Sequence, residues 1–110
     1  MAIRLEKPWL PLSAEAVRAL PGQLGVFELG DEAGKVIAIG YAGGHALFGL
    51  RSAVEEGRKR HPEARRFRVE VNMQYQSRYR ELLMLHVADH GALPAGNRDE
   101  PVRLGRLSPL

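Results

Sequence analysis

Two runs of β-forming residues, separated by a short glycine-bounded turn, are the feature that most constrains the fold of this chain. The runs cover residues 25–29 and 35–40. The polar segment 30–34 begins and ends with glycine, which gives the backbone the freedom that a tight turn needs. The pattern predicts an antiparallel β-hairpin. Its expected core residues are Phe27, Ile37 and Ile39.

Two longer segments have the apolar spacing of helices. Apolar residues recur on one helical face between positions 47 and 59, and Pro62 prevents that helix from extending further. A last helix is predicted from a Ser77 cap to His90, with Gly91 as its left-handed end.

A strand and a short helix complete the pattern. Residues 66–73 alternate strictly between apolar and polar side chains, which predicts a half-buried third strand. Ser13 is suited to cap a short first helix over residues 14–20. The order helix, strand, strand, helix, strand, helix predicts an α+β fold, a small three-stranded antiparallel sheet flanked by helices.

The chain has the length and composition of a single domain, with 110 residues of which 45% are hydrophobic. We expect one domain over residues 1–110, with an arm and helix at 1–20, a core at about 21–98 and a tail at 99–110. The absence of Cys excludes disulfide frameworks and thiolate zinc sites. No signal peptide or long apolar segment is evident, so we expect a cytoplasmic protein without a membrane partner.

The segment 58–68 is rich in basic residues. It holds six Lys or Arg residues and one Glu. Such a cluster predicts salt-sensitive, sequence-independent binding of nucleic-acid phosphates, and a solvated helix end is the alternative. His45 follows two glycines and is either a further phosphate contact or an ordinary loop histidine. The basic residues are Arg58, Lys59, Arg60, Arg65, Arg66 and Arg68.

The predicted hairpin carries two short motifs, Gly-Val-Phe at residues 25–27 and Ala-Ile-Gly at residues 38–40. Their spacing and order resemble the paired motifs that name the GIY-YIG nuclease family. Arg51, Glu81 and Asn97 follow in the order of the family's polar residues. The resemblance covers about residues 21–98 and implies the family's fold.

The resemblance also implies a chemistry. In the family, one divalent ion, Mg²⁺ or Mn²⁺, sits on the residue that Glu81 matches, and no organic cofactor takes part. Arg51 would stabilise the phosphate together with the ion, because a phosphodiester transition state gathers charge on its oxygens. A tyrosine hydroxyl would help to activate the attacking water.

The chain departs from the family where that hydroxyl is needed. Phe27 and Ala38 occupy the positions of the family's two tyrosines, and neither can move a proton. Tyr41 is the nearest phenol in the sequence and is the candidate replacement, while Tyr75 and Tyr79 are more distant ones. The catalytic candidates are therefore Arg51, Glu81 and Tyr41.

Each polar candidate also has a structural explanation. Arg51 is four residues before Glu55 and would form a surface ion pair with it on a helix. Glu81 would be a first-turn acid that favours its helix, and Asn97 would be a turn residue.

The functional hypothesis is a GIY-YIG-like domain that binds the nucleic-acid backbone, with DNA as the expected partner and an eroded or rebuilt nuclease site. One alternative is a non-catalytic protein-interaction or oligomerising module that kept the fold. Another is divalent-metal-dependent endonuclease activity with Tyr41 as the proton acceptor.

Overall fold

Four antiparallel strands form one sheet in the computed structural model, which describes residues 3–44 and 46–98. The strand order is β1-β4-β2-β3. The described chain is thus an α+β fold, as predicted. Its elements are β1 (Leu10–Pro11), α1 (Ala14–Arg18), β2 (Gly25–Gly30), β3 (Val36–Ala42), α2 (Leu50–Arg60), β4 (Arg66–Val71), α3 (Tyr75–His90) and a 3₁₀ helix (Ala95–Asn97).

The prediction of a three-stranded sheet is wrong by one strand. The additional strand, β1, pairs with β4 so that Leu10 lies opposite Phe67 and Pro11 opposite Arg66. It is two residues long, and both residues are exposed. A segment this short has no alternating pattern, and Pro11 argues locally against a strand, so only the tertiary pairing reveals it.

Helix α2 begins later than its apolar spacing suggests. Gly49 has a φ of 55°, a left-handed conformation that ends any helical continuity with residues 47 and 48. The helix therefore starts at Leu50, whose backbone N–H donates to the Gln23 carbonyl at 2.9 Å.

The ends of the other two helices are partly as predicted. Ser13 caps α1 by accepting a 3.1 Å hydrogen bond from the Ala16 N–H, although the helix stops at residue 18. Gly91, with a φ of 79°, ends α3 as expected. The Ser77 cap is wrong, because the residue at the cap position is Gln74 and α3 begins at Tyr75, so that Ser77 lies inside the helix.

The two faces of the sheet are covered by different helices. Phe27, Leu29 and Ala38 point toward α1 and α2, and they belong to a core that includes Val54 and Phe67. Val26 and Ile39 point the other way and pack against Leu82 and Leu83 of α3. Because β3 lies at the edge of the sheet, side chains from the helix layers on both faces of the sheet can be reached beside this strand. In the described chain, no helix has the length and apolar character to cross a bilayer.

A buried ion pair lies on the α3 side of the sheet. Glu28 of the central strand β2 is directly opposite Arg68 of β4, and Arg68 Nε donates to Glu28 Oε1 at 2.7 Å. The Arg68 guanidinium also donates to the Lys7 carbonyl and lies 4.1 Å from the centre of the Trp9 ring. Burial raises the pKa of Glu28 more than the bond from Arg68 lowers it. The pair therefore offsets only part of the cost of burying a carboxylate in the centre of the sheet.

Removal of the Arg68 side chain is expected to destabilise the domain by about 3 kcal/mol at neutral pH, because the Glu28 carboxylate loses its cation. Urea unfolding of Arg68→Ala measures the loss. The matched control is Arg66→Ala on the same strand, an exposed residue whose truncation changes stability by less than about 0.5 kcal/mol.

The loss of folding stability in Arg68→Ala should become smaller as the pH falls. The Glu28 pKa is already raised above its usual value of 4.5, so ionisation of this group lowers folding stability as the pH rises through the folded-state pKa. Without Arg68 that pKa rises further, and the protonated acid needs no cation. A deficit that stayed constant between neutral pH and pH 4.5 would contradict this account.

Candidate functional site

A cleft of about 660 Å³ runs along the outer side of β3. One of its walls comes from the second half of α2, and the other comes from the first turns of α3 and from the 3₁₀ helix. The glycine-rich loop after β3 reaches its mouth. The residues that line the cleft include Phe27, Ala38, Gly40, Tyr41, Gly43, Glu56, Gly57, Arg60, His61, Tyr75, Tyr79, Gly96 and Asn97.

The floor of the cleft is formed by the two strand positions at which the resemblance expects tyrosine. Phe27 lies opposite Gly40, and a Cβ added to Gly40 would be 2.3 Å from the Phe27 Cζ. Ala38 is two residues before Gly40 on the same face. Both Phe27 and Ala38 line the cleft, and both are buried. The two positions therefore meet at one site without a hydroxyl group between them.

Asn97 fills one wall of the cleft and is 1% exposed. Its side-chain oxygen accepts from the Ile39 N–H at 2.8 Å, and its side-chain nitrogen donates to the Ile39 carbonyl at 2.8 Å. The same nitrogen is 3.4 Å from the Tyr79 hydroxyl. Asn97 is thus in the cleft, with its amide bonded to the strand β3.

Three tyrosines gather on the α3 side of the cleft. The Tyr41 and Tyr75 rings are stacked, with centroids 5.6 Å apart and planes 15° apart, and Tyr79 is tilted against Tyr41 at 4.8 Å. A Cβ at Gly43 would lie 2.9 Å from the Tyr75 ring, so a larger residue at this position would require the ring to shift. Tyr75 and Tyr79 were predicted only as alternative phenols, and their clustering with Tyr41 was not predicted from the sequence.

The end of α2 supplies the charged side chains of the cleft. Arg60 is paired with Glu56 at 3.3 Å, and both side chains are more than half exposed, at 61% and 73%. The following residue, His61, has a side chain that is 14% exposed and an Nδ1 atom 3.9 Å from Glu63. His61 and Glu56 were not among the predicted site residues, because nothing in their local sequence distinguishes them from ordinary helix-end residues.

The structure divides the basic segment between several environments. Arg58 pairs with Glu55, and Arg68 points inward to Glu28 rather than outward from the strand. Arg65 donates to two backbone carbonyls and has no carboxylate partner among the residues that the structure describes. Lys59 and Arg66 are exposed, and neither has an ion-pair partner within residues 3–44 and 46–98.

Arg51 and Glu81 do not line the cleft. Arg51 Nε donates to the Leu20 carbonyl at 3.1 Å, and its guanidinium lies 5.9 Å from the Phe48 ring centre. It does not pair with Glu55, which is bound by Arg58. Glu81 accepts a hydrogen bond from Arg78. His45, the remaining predicted contact, lies outside the described residues.

The surroundings of Glu81 do not fit a divalent cation. Arg78 is shared between Glu81 and Glu70, with the Arg78 Nε atom 2.8 Å from Glu70 Oε2. Burial would raise the pKa of Glu70, but hydrogen bonds from Arg78 and Asn72 outweigh burial and lower it. A magnesium or manganese ion at Glu81 would have to displace the Arg78 guanidinium from this carboxylate. Glu81 is therefore already bound by a cation of the protein.

The fold and site together define a small α+β domain with a tyrosine-rich cleft at the edge of its sheet. Residues 3–89 match the model of the domain of unknown function DUF7508, and the chain belongs to that family. The search of curated proteins and the search of solved structures each found no match.

Substitution of Gly40 by alanine should destabilise the domain by about 1–3 kcal/mol, because the new methyl group would collide with the Phe27 ring. Gly44→Ala is the matched control, since a Cβ there meets nothing within 4 Å. Thermal unfolding compares the two variants. Phe27→Leu should recover part of the loss in the Gly40→Ala background, and strict additivity of the two substitutions would argue against this contact.

Asn97→Ala should lower the free energy of unfolding by about 2–3 kcal/mol, because it leaves the buried N–H and carbonyl of Ile39 without partners. Urea unfolding measures the effect. Asn72→Ala serves as the comparison, because Asn72 is only half-buried and its loss should cost about 1 kcal/mol. Equal losses in the two variants would show that the Asn97 contacts contribute no more than an ordinary half-exposed hydrogen bond.

Proposed function

We propose that this domain binds the sugar-phosphate backbone of nucleic acid at the cleft beside β3, as a GIY-YIG-like module whose nuclease site is eroded. The observation that carries the proposal is the position of the basic end of α2. Arg60 lines the same cleft as Phe27 and Ala38, the two positions that the resemblance assigns to the nuclease site. A phosphate held there would lie where the related chemistry takes place.

The charges around the cleft support backbone binding. The long, exposed contact between Arg60 and Glu56 contributes a few tenths of a kcal/mol at most, so a phosphate can compete for the guanidinium. Lys59 and Arg66 add exposed positive charge nearby in the sequence, and the Arg65 guanidinium is bonded to backbone carbonyls. Contacts of this kind release counterions and give binding that weakens steeply with salt and does not depend on base sequence.

The same geometry argues against hydrolysis by the family's mechanism. The cleft floor lacks the phenol hydroxyls, since its two relevant side chains are Phe27 and Ala38. Arg51 and Glu81 lie outside the cleft with their side chains bonded to other groups. The groups that would stabilise charge and activate water are thus not assembled around one phosphate.

Replacement of Arg60 by Glu should weaken DNA binding about tenfold at low salt and reduce the slope of log K against log salt by about 1. Fluorescence anisotropy with a labelled oligonucleotide at several salt concentrations measures both values. Arg18→Glu is the matched control, because it reverses the same charge on an exposed arginine in the last turn of α1, away from the cleft. Equal effects of the two variants would indicate that only the net charge of the protein matters.

Cleavage is tested with the same substrates. Single-stranded, duplex and branched DNA, and RNA, incubated with the protein in Mn²⁺ should remain intact. Products that disappear in Glu81→Ala or in Tyr41→Phe would overturn the eroded-site proposal and establish a nuclease with rerouted proton transfer.

One observation favours a second candidate, a protein-interaction module. Leu47 and Phe48, in the turn that precedes α2, are 83% and 54% exposed. Adjacent exposed apolar side chains are a common feature of protein interfaces. Absence of nucleic-acid binding at low salt, together with self-association that is lost in Phe48→Ser, would support this candidate over backbone binding.

A further inference from the structure

We propose that the exposed ring of Tyr41 is a stacking platform for one unpaired nucleobase, so that the domain prefers single-stranded over duplex nucleic acid. This inference rests on the proposed function and names the form of nucleic acid that the cleft accepts. It is carried by the tyrosine cluster, which backbone binding alone does not explain.

The Tyr41 side chain is held by two neighbouring rings and is still partly exposed. Its ring stacks on Tyr75 at 5.6 Å and contacts Tyr79 at 4.8 Å, yet Tyr41 remains 46% exposed. Tyr75 is half-buried and Tyr79 is buried, so the cluster is anchored in the α3 side of the core. An exposed aromatic ring with a fixed orientation binds a flat partner with little loss of side-chain entropy.

The surroundings of Tyr41 favour a nucleobase as that partner. The cleft volume of about 660 Å³ lies within the range of about 300–1,000 Å³ typical of sites for small organic groups. Gly43 and Gly44 place no side chain at its mouth, and a Cβ at Gly44 would meet nothing within 4 Å. Arg60, which also lines the cleft, supplies a cation for the phosphate of the same strand.

A duplex does not meet these requirements. Paired bases keep their faces covered by neighbouring base pairs, and removing one from the stack costs a few kcal/mol. An unpaired base has its face free, and every base has one, so stacking adds affinity without sequence preference. The observations therefore favour single strands, gaps or loops, and DNA and RNA share this chemistry.

The first experiment compares four fluorescent probes of equal length with the wild-type protein: single-stranded DNA, single-stranded RNA, duplex DNA and an abasic deoxyribose-phosphate strand. Tight binding of the single strands, and binding of the abasic strand that is about tenfold weaker, is the expected result. Equal binding of the abasic strand would overturn the stacking inference and leave backbone binding intact. Binding of none of the probes at low salt would overturn the proposed function itself.

The second experiment assigns the stacking to Tyr41. Tyr41→Ala and Tyr41→Leu should each weaken single-strand binding about tenfold, leave binding of the abasic strand unchanged and leave the salt slope unchanged, because no phosphate contact is lost. Tyr41→Phe keeps the ring and should bind like the wild type. Phe48→Ala removes another exposed aromatic ring that does not line the cleft and should have no effect.

Outcomes at odds with this assignment are specific. A salt slope that falls in Tyr41→Leu would mean that the residue acts through the phosphates. A loss in Tyr41→Phe would assign the effect to the hydroxyl group rather than to the ring. Circular dichroism melting curves of all variants establish that the compared proteins are folded.

Discussion

A carboxylate buried in the central strand is the constraint on which the arrangement of this domain depends. Glu28 lies on β2, which has a neighbouring strand on each side, and it is satisfied by Arg68 from the strand β4. Arg68 in turn contacts the Lys7 carbonyl and the Trp9 ring. The Arg68 guanidinium thus contacts both the paired strands β2 and β4 and the N-terminal arm, which leads directly into β1. A well-packed pair of apolar side chains would cost less free energy to bury, but it would not fix these partners relative to one another.

The parts of the fold that depend on local pattern were predictable, and those that depend on distant partners were not. The hairpin, the strand β4 and the Gly91 end of α3 follow from alternation and glycine positions. The alternation in β4 suggested that Arg68 faces solvent, since a polar residue on a half-buried strand usually does. The N-terminal arm and α3 cover that face, and no local pattern signals such a cover. The two-residue strand β1 was missed for the same reason.

The candidate site was likewise predictable where it depends on local sequence and not where it depends on distant partners. The hairpin register brings Phe27 and Ala38 to one cleft, which sequence order alone could suggest. Arg51 and Glu81 were selected by order along the chain, whereas their positions depend on the rotation of two helices against the sheet. The Arg78 side chain determines the environment of Glu81. Predicting that contact would have required knowing how α3 lies over Glu70. The cleft thus brings aromatic rings together with Arg60, while Arg51 and Glu81 lie elsewhere.

The contacts of Asn97 have a consequence for how this sheet meets other molecules. A strand at a sheet edge offers unpaired N–H and carbonyl groups to any extended peptide, including a second copy of the chain. On β3 the Asn97 amide occupies both groups of Ile39, and at the opposite edge β1 is short and contains Pro11, which has no N–H. Among residues 3–44 and 46–98 the sheet has four strands, and at least one position at each edge is closed to a further strand. Recruitment by strand addition is disfavoured, and a chain that ended before Asn97 would reopen the β3 edge to aggregation.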